Sequence, residues 1–177
     1  MENQKASVKK IALSHGLILA LLTIGVSVII YVLGMHYDQS MWQTLANTAI
    51  MIVVIVYGLK AYKKDNGGFL SLGEALKTGL AISLVAGIIG VIYNYIFMNF
   101  VEPDFVTNMM DISRDKMIEQ NPDMTEDQME MGIGMMEKMM SPGIMGAIGI
   151  IASLFFGFIF SLISGLVLKQ NKPEHLQ

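Results

Sequence analysis

Four apolar stretches constrain most what this chain can fold into, and the clearest is the last, residues 143–168. Its 26 residues include no charged side chain, and a helix rising about 1.5 Å per residue would extend them to about 39 Å. That length exceeds the roughly 30 Å of a bilayer's hydrocarbon core, so the stretch predicts a transmembrane helix. Three more spans are predicted at residues 11–33, 42–59 and 76–100. We therefore expect an all-α, polytopic membrane protein.

Composition supports a membrane class and excludes several others. Apolar residues make up 53% of the chain and charged residues 15%, against roughly 25% charged in soluble domains. A length of 177 residues predicts a single membrane domain over residues 1–177. The absence of cysteine excludes disulfides, thiolate zinc sites and cysteine nucleophiles. A net charge of −3 gives no indication of nucleic-acid binding.

Small residues recur at four-residue spacing in the third and fourth predicted spans. Small side chains let helix backbones approach closely in a bilayer, where no hydrophobic effect drives helices together. An asparagine seven residues beyond the third span's last small residue returns to the same helical face. We expect these faces to pack: Gly79, Ser83, Gly87 and Asn94 on the third span, and Gly149, Ser153, Gly157, Ser161 and Gly165 on the fourth.

The loop at residues 60–77 contains a turn and a helix start. Asn66 precedes two glycines, a pattern typical of a turn because these residues tolerate positive φ. Ser71 and Glu74 fit a capping box, in which each side chain satisfies a free amide at the start of a helix. Tyr62, beyond the second apolar stretch, is interpreted as an aromatic anchor at the membrane interface.

Residues 101–142 form the one sizeable polar segment, with ten acidic residues against three basic ones, a net charge of −7. Asn121-Pro122-Asp123 divides it into two predicted helices, near residues 104–120 and 125–140. Thr125 and Gln128 fit a second capping box. We expect a helical hairpin between spans three and four.

The distribution of basic residues predicts the orientation. Nine of the twelve basic residues lie on one side of the predicted topology, and three lie in the acidic segment. The positive-inside rule then places both termini in the cytoplasm and residues 101–142 outside. The nine are Lys5, Lys9, Lys10, Lys60, Lys63, Lys64, Lys77, Lys169 and Lys172.

Three segments carry a family resemblance: KKIALSHGLILALLTIGVSVIIYVLG, YKKDNGGFLSLGEALKTGL and YNYIFMNFVEP. They resemble the bacterial family catalogued as domain of unknown function 4199, typical of Bacteroidetes. The resemblance covers nearly the whole chain, and NGGFLSLGEALKTG is its most specific part. It implies a small four-span inner-membrane protein and carries no established activity.

Methionine is concentrated in the acidic segment, which holds ten of the sixteen. Thioethers select Cu(I), and the spacings Met129/Met131 and Met136/Met139 can bring two sulfurs onto one ion. Alternatively, these flexible side chains fill the apolar face of a small helix, with Met129, Ile133, Met136 and Met140 on one side. The sequence leaves open both packing and weak Cu(I) binding at Met129, Met131, Met136 and Met139.

The functional expectation is a non-catalytic membrane scaffold or accessory subunit. The middles of the spans contain no Asp, Glu, Lys or Arg, and no nucleophile, base and orienting group occur together. An enzyme is therefore not expected, and the partners are the lipid bilayer and another membrane protein. Two alternatives remain: an oligomeric small transporter or channel, in which the small-residue faces join subunits, and a copper-binding sensor using the external methionines.

Overall fold

A computed structural model describes residues 6–38 and 41–173 of the chain. The all-α prediction is confirmed, since these residues form α-helices and no β-strand beyond one isolated backbone bridge. A π-helical turn at Phe97–Val101 continues directly from the third helix. The helices are α1 (Val8–Val32), α2 (Met41–Asp65), α3 (Leu72–Ile96), α4 (Phe105–Gln120), α5 (Glu126–Met139) and α6 (Pro142–Leu168).

Four helices, α1, α2, α3 with its π turn, and α6, are long and apolar enough to cross a membrane. The four predicted spans are thereby confirmed, and the protein is a multi-pass membrane protein. Helices α1, α2 and α3 begin before the apolar stretches that predicted them. In α1 the reason is the Ser7 hydroxyl, which accepts the amide of Lys10 at 3.3 Å and starts the helix at Val8.

The C-terminus of α2 shows why that helix continues to Asp65. Lys63 and Lys64 occupy its last turn, where positive charge is favourable to the helix dipole. Gly67 then adopts φ +69° and donates to the carbonyl of Lys64, while Gly68 donates to that of Lys63 at 2.8 Å. This Schellman arrangement satisfies the terminal carbonyls and reverses the chain toward α3.

The chain divides into two compact units, one comprising the described residues up to Gly90 and from Ile150 onward, the other Val91–Gly149. In the first unit the buried residues lie in the N-terminal halves of α1 and α3 and the C-terminal halves of α2 and α6. The apolar ones from α1, α2 and α3, together with Leu70 in the loop before α3, form one cluster at the end rich in lysine. Its fully buried members are Ile55, Leu59, Leu70, Ala75 and Ile82.

The second unit contains the end of α3, α4, α5 and the start of α6. The Phe97 ring is buried and contacts Tyr93 and Phe105, at centroid distances of 6.0 and 5.7 Å. Helix α5 begins with the predicted capping box, because Thr125 and Gln128 each accept the other's backbone amide. Neither α4 nor α5 contains a buried residue. The prediction of a single domain stays a prediction.

Candidate functional site

Glycine on one helix meets serine on the other where α3 and α6 pack. A Cβ built on Gly79 would overlap the side chain of Ser161, and one built on Gly157 would overlap that of Ser83. The two backbones therefore approach as closely as small residues allow. We call this contact the glycine–serine interface; its residues are Gly79, Ser83, Gly87, Ser153, Gly157 and Ser161.

The third pair of the glycine–serine interface includes a hydrogen bond between the helices. A Cβ on Gly87 would lie 3.2 Å from that of Ser153, and the Ser153 hydroxyl donates to the carbonyl of Ser83 at 2.8 Å. The hydroxyl of Ser83 donates within its own helix to the carbonyl of Gly79 at 3.0 Å, and Ser161 bonds in the same way within α6. These bonds satisfy the serine hydroxyl groups within membrane-spanning helices, where lipid offers no hydrogen-bonding partner.

The other predicted packing residues differ in their surroundings. Gly165 belongs to the close contact, since its added Cβ would lie 2.8 Å from that of Ala75, a residue outside the predicted packing set. Gly149 is exposed, and its added Cβ would lie at an ordinary contact distance, 3.9 Å, from Val91. Asn94 is also exposed. Among the predicted packing positions, those in close contact therefore lie nearer the lysine-rich end.

A carboxylate organises the loop between α2 and α3. One oxygen of Glu74 accepts the backbone amide and the hydroxyl of Ser71, both at 2.8 Å. Its other oxygen accepts the Tyr62 hydroxyl at 3.3 Å and the Asn66 side-chain amide at 3.4 Å. The amide of Glu74 in turn donates to the Ser71 hydroxyl, which completes the capping box. We call these four residues the Glu74 cap.

The structure gives Tyr62 a different role from the one inferred from sequence. Its side chain is buried and donates to Glu74, whereas Trp42, at the other end of α2, is exposed. Helix α2 extends into the lysine-rich end of the first unit, and Tyr62 belongs to the apolar cluster there. Its position beyond an apolar stretch could not distinguish this burial from an interfacial location.

The chain after α6 is tied to the same loop. Leu70 and Gln170 exchange two backbone hydrogen bonds, each 2.9 Å long. The ammonium of Lys63 donates to the carbonyl of Leu168, the last residue of α6, at 3.0 Å. A lysine in this position satisfies a terminal carbonyl and complements the helix dipole. The loop thus joins three of the four long helices.

The methionines of α5 lie on two faces. Met129 and Met136 are half-buried, together with Ile133. Met131 and Met139 are exposed and lie in a second row with Met135. The predicted pairs Met129/Met131 and Met136/Met139 therefore each combine a half-buried side chain with an exposed one. Within residues 6–38 and 41–173, no group of three His, Asp or Glu side chains is arranged to hold a metal ion.

The hydrogen bonds of the Glu74 cap and the glycine–serine interface serve to fix helices against one another and against the loop. The segment that carries the most specific resemblance, residues 66–79, supplies three of the four cap residues (Asn66, Ser71 and Glu74) and the first glycine of the interface. Neither the search of curated proteins nor the search of solved structures gave a match. Residues 14–170 match the family model described as protein of unknown function (DUF4199), and the chain therefore belongs to that family.

Proposed function

We propose that this protein is a non-catalytic accessory subunit or scaffold that binds another membrane protein through α5. The observation that carries the proposal is the exposed row Met131, Met135 and Met139, whose side chains are 73%, 63% and 51% exposed. We call these three residues the methionine row. Their spacing of four residues places them along one side of the helix.

The chemistry of the methionine row suits a protein partner. Thioether side chains are apolar and flexible, so they adapt to the shape of an opposing surface. The row belongs to a segment with ten acidic and three basic residues, among them the exposed Glu130 and Glu137 on the same helix. Charge complementarity then favours a partner that presents an apolar surface flanked by lysine or arginine.

The proposed topology places α4 and α5 outside the bacterial inner membrane, with both termini in the cytoplasm. Its support is the positive-inside rule, because all nine lysines outside the acidic segment fall on one side of the four spans. Lys5, one of the nine, lies outside the described residues. A partner would then meet the methionine row in the periplasm or at the outer leaflet.

The glycine–serine interface favours this proposal over an oligomeric transporter. That alternative needs the small-residue faces of α3 and α6 to join separate subunits. In the structure, the space beside Gly79, Gly87 and Gly157 is filled by serines of the same chain. These positions are therefore occupied in holding α3 against α6 within one chain.

Photo-crosslinking from the methionine row tests the proposal. A photoreactive amino acid is placed at Met131, Met135 or Met139 in cells, with Glu130 and Glu137, on another side of α5, as matched control positions. We expect the row to give one stoichiometric membrane-protein product whose contact surface is apolar and basic. The purified pair should bind in nanodiscs, and replacing all three methionines with aspartate should abolish binding.

Three outcomes would overturn the accessory-subunit proposal. Products that contain only this chain would indicate self-association and return the oligomer to first place. Equal labelling from the row and from the control positions would show that α5 has no specific contact face. Substrate turnover by the purified protein alone would establish an enzyme.

A further inference from the structure

Met117 of α4 contacts Gly132 of α5, and other methionines of α5 are helical neighbours of that glycine. A Cβ added to Gly132 would come within 2.6 Å of the Met117 methyl carbon and 3.8 Å of its sulfur. Glycine in a helix interior costs roughly 1 kcal/mol relative to alanine. In α5, the absence of a side chain at Gly132 leaves room for Met117 of α4.

Helical geometry brings two more thioethers to this place. Met129 and Met136 are three residues before and four residues after Gly132, the spacings that make helix positions neighbours on one face. Both side chains are half-buried, as is Met117. Met129 and Met136 thus flank, along α5, the glycine that Met117 of α4 contacts.

We propose that Met117, Met129 and Met136 form a binding site for Cu(I), independent of the proposed docking role of α5. Soft, neutral thioethers select Cu(I) over harder divalent ions. The half-buried position shields the sulfurs from water, and the net negative charge of residues 101–142 raises the local concentration of cations. The ion is bound in its reduced state, and no electron transfer is involved.

This site differs from the one that sequence spacing suggested. Spacing alone favoured Met131 and Met139 as partners of Met129 and Met136. The structure places those two in the exposed methionine row and supplies Met117 from the neighbouring helix instead. Because thioethers do not titrate, Cu(I) affinity should be unchanged between pH 5 and pH 8, unlike affinity at a histidine site.

The test is an anaerobic titration of the full-length protein in nanodiscs with Cu(I), in competition with a chromophoric Cu(I) chelator. We expect one equivalent to bind, with a sulfur-only shell in X-ray absorption. Replacing Met117, Met129 and Met136 together with leucine should weaken binding by roughly tenfold or more, which corresponds to about 1.4 kcal/mol. Leucine nearly conserves methionine's volume, so the packing of the helix pair should persist.

The matched control replaces Met131, Met135 and Met139 with leucine and should leave Cu(I) affinity unchanged. Met117→Leu alone is the second variant, used if the triple variant unfolds, and it should also weaken binding. Failure of the wild-type protein to bind Cu(I), equal losses in both triple variants, or no loss in either would each overturn the proposal. A Cu(I) affinity that decreases as the pH is lowered below about 6.5 would also overturn the proposal, because histidine would then be a ligand.

Discussion

The glycine–serine interface and the α4–α5 pair bring helices together in opposite ways. At the interface the smallest side chains let backbones touch, and serine hydroxyls bond to nearby carbonyls. Between α4 and α5 the contact is made by a long, flexible methionine seated on a glycine, and neither helix contains a buried residue.

The difference shows what each kind of side chain can specify. Glycine and serine have few rotamers, so a contact built from them permits one helix geometry and tolerates little added volume. Methionine has three rotatable side-chain bonds and fills space without fixing it. The first region is therefore suited to maintaining one structure, and the second to accommodating a ligand or a partner.

The largest effect is expected at the glycine–serine interface. Gly79→Ala should lower the free energy of unfolding by about 1–3 kcal/mol, because the new methyl group meets the side chain of Ser161. Gly90→Ala, on the same helix, is the control: nothing lies within 4 Å of its added Cβ. It should be neutral or slightly stabilising, since alanine is the better helix former. Unfolding in detergent micelles measures both, and equal losses would show that tight packing at Gly79 is not decisive.

A smaller effect is expected at the Glu74 cap. Glu74→Gln replaces a charged acceptor of four hydrogen bonds, and stability should fall by about 1–2 kcal/mol. Asp65→Asn removes a nearby exposed carboxylate at the C-terminus of α2 and should be neutral or slightly stabilising. Thermal unfolding of the two variants in the same detergent makes the comparison. Greater sensitivity at Asp65 would show that general loop charge, rather than the cap, stabilises this end.

The bond that caps α6 should contribute less again. Lys63→Met removes the donor to the carbonyl of Leu168 and should cost about 0.5–1 kcal/mol. Lys64→Met removes an exposed charge that interacts only with the dipole of α2, so it should cost less than Lys63→Met. Hydrogen exchange at the C-terminal end of α6 is the direct readout. Unchanged protection in the Lys63 variant would contradict a capping role.

The smallest effect on stability is expected in the methionine row. Replacing Met131, Met135 or Met139 singly with serine should change the free energy of unfolding by no more than about 0.5 kcal/mol, because these side chains are mostly exposed. Met129→Ser, on the half-buried face, should cost more. A large loss from the exposed row would blur the contrast between the two regions, since it would mean that the row is packed in the folded protein.

The four spans and the close contact of α3 with α6 follow from patterns that the sequence displays directly. Apolar length determines a span, and small residues at four-residue spacing align on one face whatever surrounds them. The glycines at 79 and 157 meet serines of the facing helix because both predicted faces are turned toward each other. Gly149 and Asn94 share the spacing but are exposed. Spacing identifies a face and does not indicate how far along it two helices remain in contact.

Contacts between distant segments could not be read from local pattern. Tyr62 and Asn66 donate hydrogen bonds to the second carboxylate oxygen of Glu74. Gln170 pairs with Leu70, a hundred positions earlier. None of these residues belongs to a sequence motif that predicts its hydrogen-bonding partner. The position of Met117 over Gly132 is a similar case, because the angle between α4 and α5 decides which side chain reaches the gap.

The pairing of Leu70 with Gln170 sets when, during synthesis, the lysine-rich end can close. Leu70 is fully buried, so without its partner its amide and carbonyl would be left unsatisfied in an apolar setting. The hydrogen bonds that satisfy these two groups can form only after residue 170 has been synthesised. The lysine-rich end can therefore close only after the last span has been made, although the loop that closes it is made before the third.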